Sequence, residues 1–176
     1  MVRGAVRLDR EIASNGLSAK MTTTIRNVNT ADAVDSDFVF AVKKAAFREY
    51  VEQVEGWDDT HQRGLHNKRF NTQDFRIIQF QGNDIGFFST SCTSDSLKIH
   101  QLFIHPEYQD RGIGSACMTR ILADADVAEK AVNLQVLKIN IRGIAFYQRL
   151  GFSIVDEDST HVQMKKLPAP TDPALQ

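Results

Sequence analysis

The spacing of apolar side chains changes repeatedly between residues 22 and 166, and each change marks an element. Thr22–Val28 (TTTIRNV) is rich in β-branched residues and predicts a strand. From Asp37 to Val54 the apolar residues Val39, Val42, Ala46, Phe47, Tyr50, Val51 and Val54 recur at helical spacing, and Gly56 ends that helix. Thr30 or Asp35 offers a side-chain oxygen to the free amides of its first turn. The polar run after Trp57 predicts a short second helix from Asp58. Phe75–Phe80 and Ile85–Cys92 flank the turn residues Gly82, Asn83 and Asp84, which is a hairpin signal. Another strand runs from Leu97 to Ile104 and stops at Pro106. Gly114–Ala125 is helical, with Cys117, Ile121, Leu122 and Ala125 on one side. Leu134–Ile139 predicts a strand, Ile141–Leu150 a helix, and Phe152–Val155 with His161–Met164 a closing pair of strands. Strands and helices in this order imply an α/β fold around a mixed, mostly antiparallel sheet.

The ends carry no such pattern. Residues 1–21 show no sustained period and are expected to be a disordered extension, with Met21 a candidate natural start. Residues 167–176 hold three of the four prolines and predict a frayed tail. The working domain is expected at 22–166.

Composition narrows the function. The 176 residues carry 21 basic and 22 acidic side chains, a formal net charge of −1. That balance supplies no overall field for nucleic acid. No apolar run approaches the roughly 18–20 residues that span a bilayer, so no membrane partner is expected. Cys92 and Cys117 are too few for a disulfide framework, and a reducing, cytoplasmic setting is the default. Cys117 lies among apolar helix positions and is expected to be buried rather than nucleophilic. His61 and His66 are spaced off a shared helical face, so no metal site is expected.

Two local features remain. In SLKIHQLFIHP, Leu97 and Ile99 share one parity while Leu102 and Ile104 share the other. A strict period-two strand cannot bury both pairs on one face, and one extra residue near His100–Gln101 restores the pattern as a β-bulge. Directly after it comes IHPEYQDRGIGS, where a strand ends and glycines lead into a helix. Gly112 and Gly114 let an anion approach the main chain, and successive amides at a helix N-terminus attract one. By itself this is either an anion site or an ordinary turn. No Gly-Lys-Ser/Thr follows, so it is not a Walker loop.

Gln109 to Gly114 (QDRGIG) fits Q/R-x-x-G-x-G/A, and LQVLKINIRGIAFYQRLGF follows from Leu134 to Phe152. With the element order, these two blocks resemble the GNAT superfamily of acyl-CoA N-acyltransferases. The resemblance implies helices on both faces of the sheet and a splayed, bulged fourth strand. It implies acetyl-CoA as co-substrate, with the pyrophosphate on the main chain of Arg111, Gly112, Ile113, Gly114 and Ser115, and Gln109 shaping the turn. Phe103 and Ile104 would give main-chain contacts to the pantetheine, and Asn140 would face the pantetheine or acetyl region. Tyr147 would protonate the leaving thiolate; from the residues alone it reads instead as a core aromatic beside Phe146. Gly143 departs from the alanine common in this block and is expected only to loosen the helix start.

Amine attack on a thioester needs a base and an oxyanion donor, here the Ile104 amide. His100 stands on the fourth strand, where many relatives place a glutamate, and is a candidate base. Glu107 is a second candidate, and a water relay a third. Tyr50, Trp57 and Asp58 are candidate acceptor residues, an aromatic and acidic wall for a cationic amine, unless Trp57 merely covers the helix end. The acceptor is a small-molecule or protein amine, and a homodimer stays open. Two functions follow: an N-acetyltransferase using direct attack in a ternary complex, or a non-catalytic acyl-CoA-binding or regulatory module.

Overall fold

The computed structural model describes residues 23–27 and 33–170. The expected cap Thr30, the strand ends Thr22 and Val28, the extension 1–21 and residues 171–176 of the tail lie outside the described residues. The first half runs β1 (Thr23–Asn27), α1 (Ala33–Val54), α2 (Asp59–Phe70), β2 (Asp74–Phe80), β3 (Asn83–Cys92) and β4 (Ser96–Ile104). A 3-10 turn at Pro106–Tyr108 leads into α3 (Ile113–Val127), β5 (Ala131–Leu137), α4 (Ile141–Arg149), β6 (Ser153–Glu157) and β7 (His161–Lys166). Among the described residues the strands form one sheet in the order β1-β2-β3-β4-β5-β7-β6. Each neighbouring pair is antiparallel except β4 with β5, which run parallel.

Period-two alternation sorts the core onto two faces. Phe75, Ile77 and Phe87 point to one side, where Val39 and Val42 of α1 and Phe70 of α2 cover them. Ile78, Phe80, Ile85, Phe88 and Ile99 point to the other, against Ile113, Cys117, Met118, Ile121 and Leu122 of α3. Ile144, Phe146, Tyr147 and Leu150 of α4 join that second cluster. Each large side chain removed from water contributes about 1.5–3 kcal/mol, so the two faces hold the central strands from both sides.

The expected bulge is present, and the register shows how it works. Ser89 opposes Gln101 while Thr90 opposes Ile99, so His100 is the unpaired residue. Leu97 and Ile99 before it, and Leu102 and Ile104 after it, all meet the α3 side of the core. Beyond this point β4 parts from β5. Their parallel pairing is confined to Ser96–Lys98 against Ala131–Asn133.

Three local expectations are corrected. Asp35 is no cap, because α1 already begins at Ala33; the buried Asp35 carboxylate instead accepts from Arg26 Nη1 at 2.9 Å and Nη2 at 2.6 Å. The β2–β3 turn is Gln81-Gly82, both at positive φ, and Asn83 already pairs with Phe80. That two-residue connection matches the twist of a hairpin better than a longer turn. The fifth strand runs Ala131–Leu137 rather than Leu134–Ile139, because Ala131 to Asn133 pair with β4.

His66 sits inside the α1–α2 face, its ring 5.6 Å from Phe40 and 5.2 Å from Phe70, and Nε2 is 2.9 Å from Ser36 Oγ. Burial, with Arg63 and Lys43 nearby, lowers it to about 4. The unfolded chain protonates this ring near 6.5. Between these values the unfolded state binds the extra proton, so stability present above pH 6.5 is lost as pH falls toward 4. From pH 7 to 4.5 this contribution is on the order of 2–3 kcal/mol. Urea midpoints across that range should fall accordingly, with ring NMR still showing neutral His66 at pH 5. A ring titrating between pH 6 and 7 contradicts the prediction.

Candidate active site

Where β4 and β5 separate, two cavities open. The first, about 430 Å³, is bounded by α1 at Ala46, Phe47 and Tyr50, by the end of β4, by the Tyr108–Ser115 loop and by α4. The second, about 290 Å³, is bounded by α1, α2, the bulged half of β4 and Leu134–Leu137 of β5. Phe47, Leu102, Phe103, Asn140 and Tyr147 line both. The two spaces therefore adjoin at these residues, over the splayed edge of β4.

The first cavity is built to take an anion. Gly112 precedes α3 at φ +76, the left-handed region, where a side chain would be strained. This turn aims the opening amides of α3 outward. As the first helical turn, Ile113, Gly114 and Ser115 have no carbonyl partner within the helix, and all three line the cavity. Gln109 Nε2 donates to Ile104 O at 2.9 Å and ties the loop to the strand. The expected charge at the mouth is supplied differently. Arg111 donates to Glu107 O at 2.8 Å and lies over the Tyr108 ring, outside the lining, whereas Arg142 and Arg149 of α4 are within it, Arg142 paired with Asp110 of the loop at 2.8 Å. No local sequence signal marked those two; the fold brings α4 alongside the loop.

The edge of β4 offers main-chain groups. His105 N–H donates to Ile85 O at 2.8 Å, which makes Ile85 and His105 a bonded position of the β3–β4 ladder. Bonded and non-bonded pairs alternate along an antiparallel ladder. The next pair, Gly86 with Ile104, is therefore non-bonded, and Ile104 N–H faces the open side with that of Leu102. Phe103 directs its main chain to β3, so the main-chain contact expected from it is corrected to Leu102 and Ile104, whose N–H groups are open; Phe103 itself lines both cavities.

Asn140 and Tyr147 stand at the junction because α4 begins there. Asn140 Oδ1 accepts from Gly143 N–H at 2.8 Å and caps the helix. A Cβ on residue 143 would stand 2.6 Å from Asn140 Nδ2, so Gly143 makes room for this cap. The expectation that it merely loosens the helix start is corrected. The half-buried Tyr147 ring packs on Phe146 and Phe152, with centroids 5.0 and 5.7 Å away. Burial pushes its phenol up to about 12, so it is protonated across the physiological range.

Around the second cavity His100 sits at the bulge, with Nε2 2.8 Å from Ser91 Oγ. Burial, then Lys98 and Arg69, lower its pKa, which favours the neutral ring. Glu107 lines neither cavity. Tyr50 lines the first cavity, while Trp57 and Asp58 line neither. Asp58 caps α2 through the His61 amide, and the Trp57 ring lies 5.8 Å from Lys43 Nζ, an internal cation. Cys117 is fully buried, its thiol pushed up to about 12, and is no nucleophile.

Comparison with known proteins decides the family. The family model for the acetyltransferase (GNAT) domain matches residues 71–154, the stretch carrying the bulge, the glycine loop and α4. An uncharacterized N-acetyltransferase of Methanocaldococcus jannaschii is 30% identical over 141 residues, 74% of this chain. The chain belongs to the GNAT superfamily. Among its GNAT relatives, a mycothiol acetyltransferase of Mycolicibacterium gilvum is 32% identical over 78% of the chain. The chain spans 61% and 47% of these two relatives, less than two thirds of either. The GNAT fold itself recurs in PaiA N-acetyltransferase from Thermoplasma acidophilum, solved in complex with coenzyme A. That structure matches with TM-score 0.65 at 18% identity, over 84% of this chain and 99% of that one.

Proposed function

We propose that this GNAT protein is an acetyl-CoA-dependent N-acetyltransferase that moves an acetyl group directly to a primary amine in a ternary complex. The observation that carries the proposal is the meeting of two cavities at Tyr147, Asn140 and the open edge of β4. One cavity suits the nucleotide end of a thioester donor and the other an amine. Coenzyme A complexes of proteins with this fold support acetyl-CoA as the donor.

The residues then take these roles. The main chain of Arg111, Gly112, Ile113, Gly114 and Ser115 holds the pyrophosphate, as amides at a helix N-terminus do. Arg149 adds charge at the mouth, Arg142 ties α4 to Asp110 of the loop, and Gln109 sets the loop. Ile104, with Leu102 and Phe103 beside it, borders the pantetheine. The thioester supplies an activated carbonyl and a leaving thiolate. Ile104 N–H faces the carbonyl oxygen as it gains negative charge. His100, neutral and on the acceptor side, takes the amine proton directly or through water. As the C–N bond forms and the C–S bond breaks, Tyr147 holds its proton toward the sulfur.

Acetyl-CoA should raise the melting temperature by several degrees, since a ligand binding only the native state stabilises it. CoA should then be released only when an amine is present. Absence of stabilisation would refute the assignment of the Gly112–Gly114 loop. Stabilisation without transfer to any amine in a broad panel would favour a non-catalytic acyl-CoA-binding module instead.

A further inference from the structure

The second cavity contains a buried ammonium with no ion-pair partner among the described residues. Lys43 on α1 is 4% exposed, and its ammonium donates to Gln62 Oε1 at 2.8 Å. The Trp57 ring lies at 5.8 Å, and Glu55 attracts the ammonium from further off without forming an ion pair. Among the described residues Lys43 forms no ion pair with Glu55 or with any other carboxylate. An ammonium has three donors, so a single bond to Gln62 leaves capacity for a ligand. Burial, then Arg69, lowers its pKa to about 8, so at neutral pH it is still charged.

Arg69, at the end of α2, lines the same cavity, and its guanidinium has no hydrogen-bonding or ionic partner among the described residues. Glu55 is the one carboxylate in the lining. Leaving the two histidines aside, two cations face one anion, a surplus of one positive charge. Burying a charge without a partner is unfavourable, and an opposite charge brought into the cavity relieves it. The surplus matches a monoanion. Arg69 presents the planar fork that pairs with carboxylates. A volume of about 290 Å³ suits a small molecule.

We infer that the acceptor is a small amino-carboxylate, its amine at the Tyr147 junction and its carboxylate held by Lys43 and Arg69. This rests on the N-acetyl-transfer reading and names the substrate class of that site. It also revises the idea of an aromatic and acidic wall for a cationic amine, since Trp57 already faces the cation of Lys43.

The test uses matched sets of amines: amino acids of increasing chain length, their carboxamides, and the same amines lacking the carboxyl group. Transfer is followed by CoA release, and binding to the CoA-saturated protein by calorimetry. Within a set the amino-carboxylate should exceed its carboxamide at least tenfold in kcat/KM, mainly through KM. Arg69→Gln, an exposed change, should bring it down to the carboxamide's level. Lys43→Met should do the same while keeping the side-chain volume. Equal or better use of carboxamides or plain amines overturns the inference and leaves N-acetyl transfer intact. Preference for a phosphorylated amine overturns it as well. Saturable binding of amino-carboxylates with no transfer to any amine keeps the Lys43–Arg69 subsite and removes the transferase reading. No binding of any amino-carboxylate overturns the inference outright.

Discussion

Gly112→Val should abolish acetyl-CoA binding while the domain still folds. Gly112 holds φ +76 at the start of α3, and a Cβ there meets no atom within 4 Å. The obstacle is therefore the backbone, together with whatever occupies the open space. A non-glycine residue in the left-handed region costs roughly 1–2 kcal/mol, and a β-branched one is the worst case. The chain can escape by rotating to negative φ, but that turns the Ile113–Ser115 amides away from the cavity. If it does not rotate, the valine methyls stand where the pyrophosphate belongs. Both routes lose the anion contacts, so affinity measured by calorimetry should fall on the order of 100-fold or more, equivalent to at least about 2.7 kcal/mol. Gly112→Ala should be intermediate. Binding within threefold of the parent would contradict the loop's role.

Tyr147→Phe should separate chemistry from binding. The ring keeps its packing on Phe146 and Phe152, so fold and acetyl-CoA affinity should change less than about threefold, whereas removing a positioned proton donor typically costs 10²–10⁴-fold in rate. Among the described residues the hydroxyl has no hydrogen-bond partner, so it is available to the sulfur and leaves no group unsatisfied when removed. With a phenol near 12 and thiols near 8.5 in water, the donor is much the weaker acid. Tyr147 is therefore expected to stabilise the thiolate by a strong hydrogen bond as the C–S bond lengthens, with full transfer late. Single-turnover acetyl transfer should slow on the order of 100-fold. The rate–pH profile of the parent should show no tyrosine limb below pH 11. An unchanged rate would return Tyr147 to the role of a core aromatic.

Much of the fold was legible because its determinants are local. Val39 to Val54 at helical spacing, and Phe75–Phe80 opposite Ile85–Cys92, state their geometry within a few residues. Even the bulge was legible, since Leu97 and Ile99 cannot share a face with Leu102 and Ile104 unless one residue is left out of the ladder. Boundaries were less so. Asp35 looks like a cap, but α1 already begins at Ala33 and the Asp35 carboxylate pairs with Arg26 of β1, which no local spacing announces. The role of Gly143 was also hidden, because it lies in the space needed by the Asn140 side chain rather than in any backbone preference.

What lies within the amino-acid order itself is the alternation of strands and helices, the parity break at His100 and the glycine-bearing turn before α3. Each depends on steric and hydrogen-bonding rules that act over one turn or one strand. Tertiary structure alone determined which charges face which cavity. Lys43 of α1 and Arg69 of α2 come from separate elements, as do Arg142 of α4 and the Gly112 loop, and the packing of those elements around the sheet brings each pair to its cavity. Charge and desolvation act through space. For that reason Arg142 and Arg149 stand at the mouth where Arg111 was expected, and the cation facing Trp57 belongs to the protein itself.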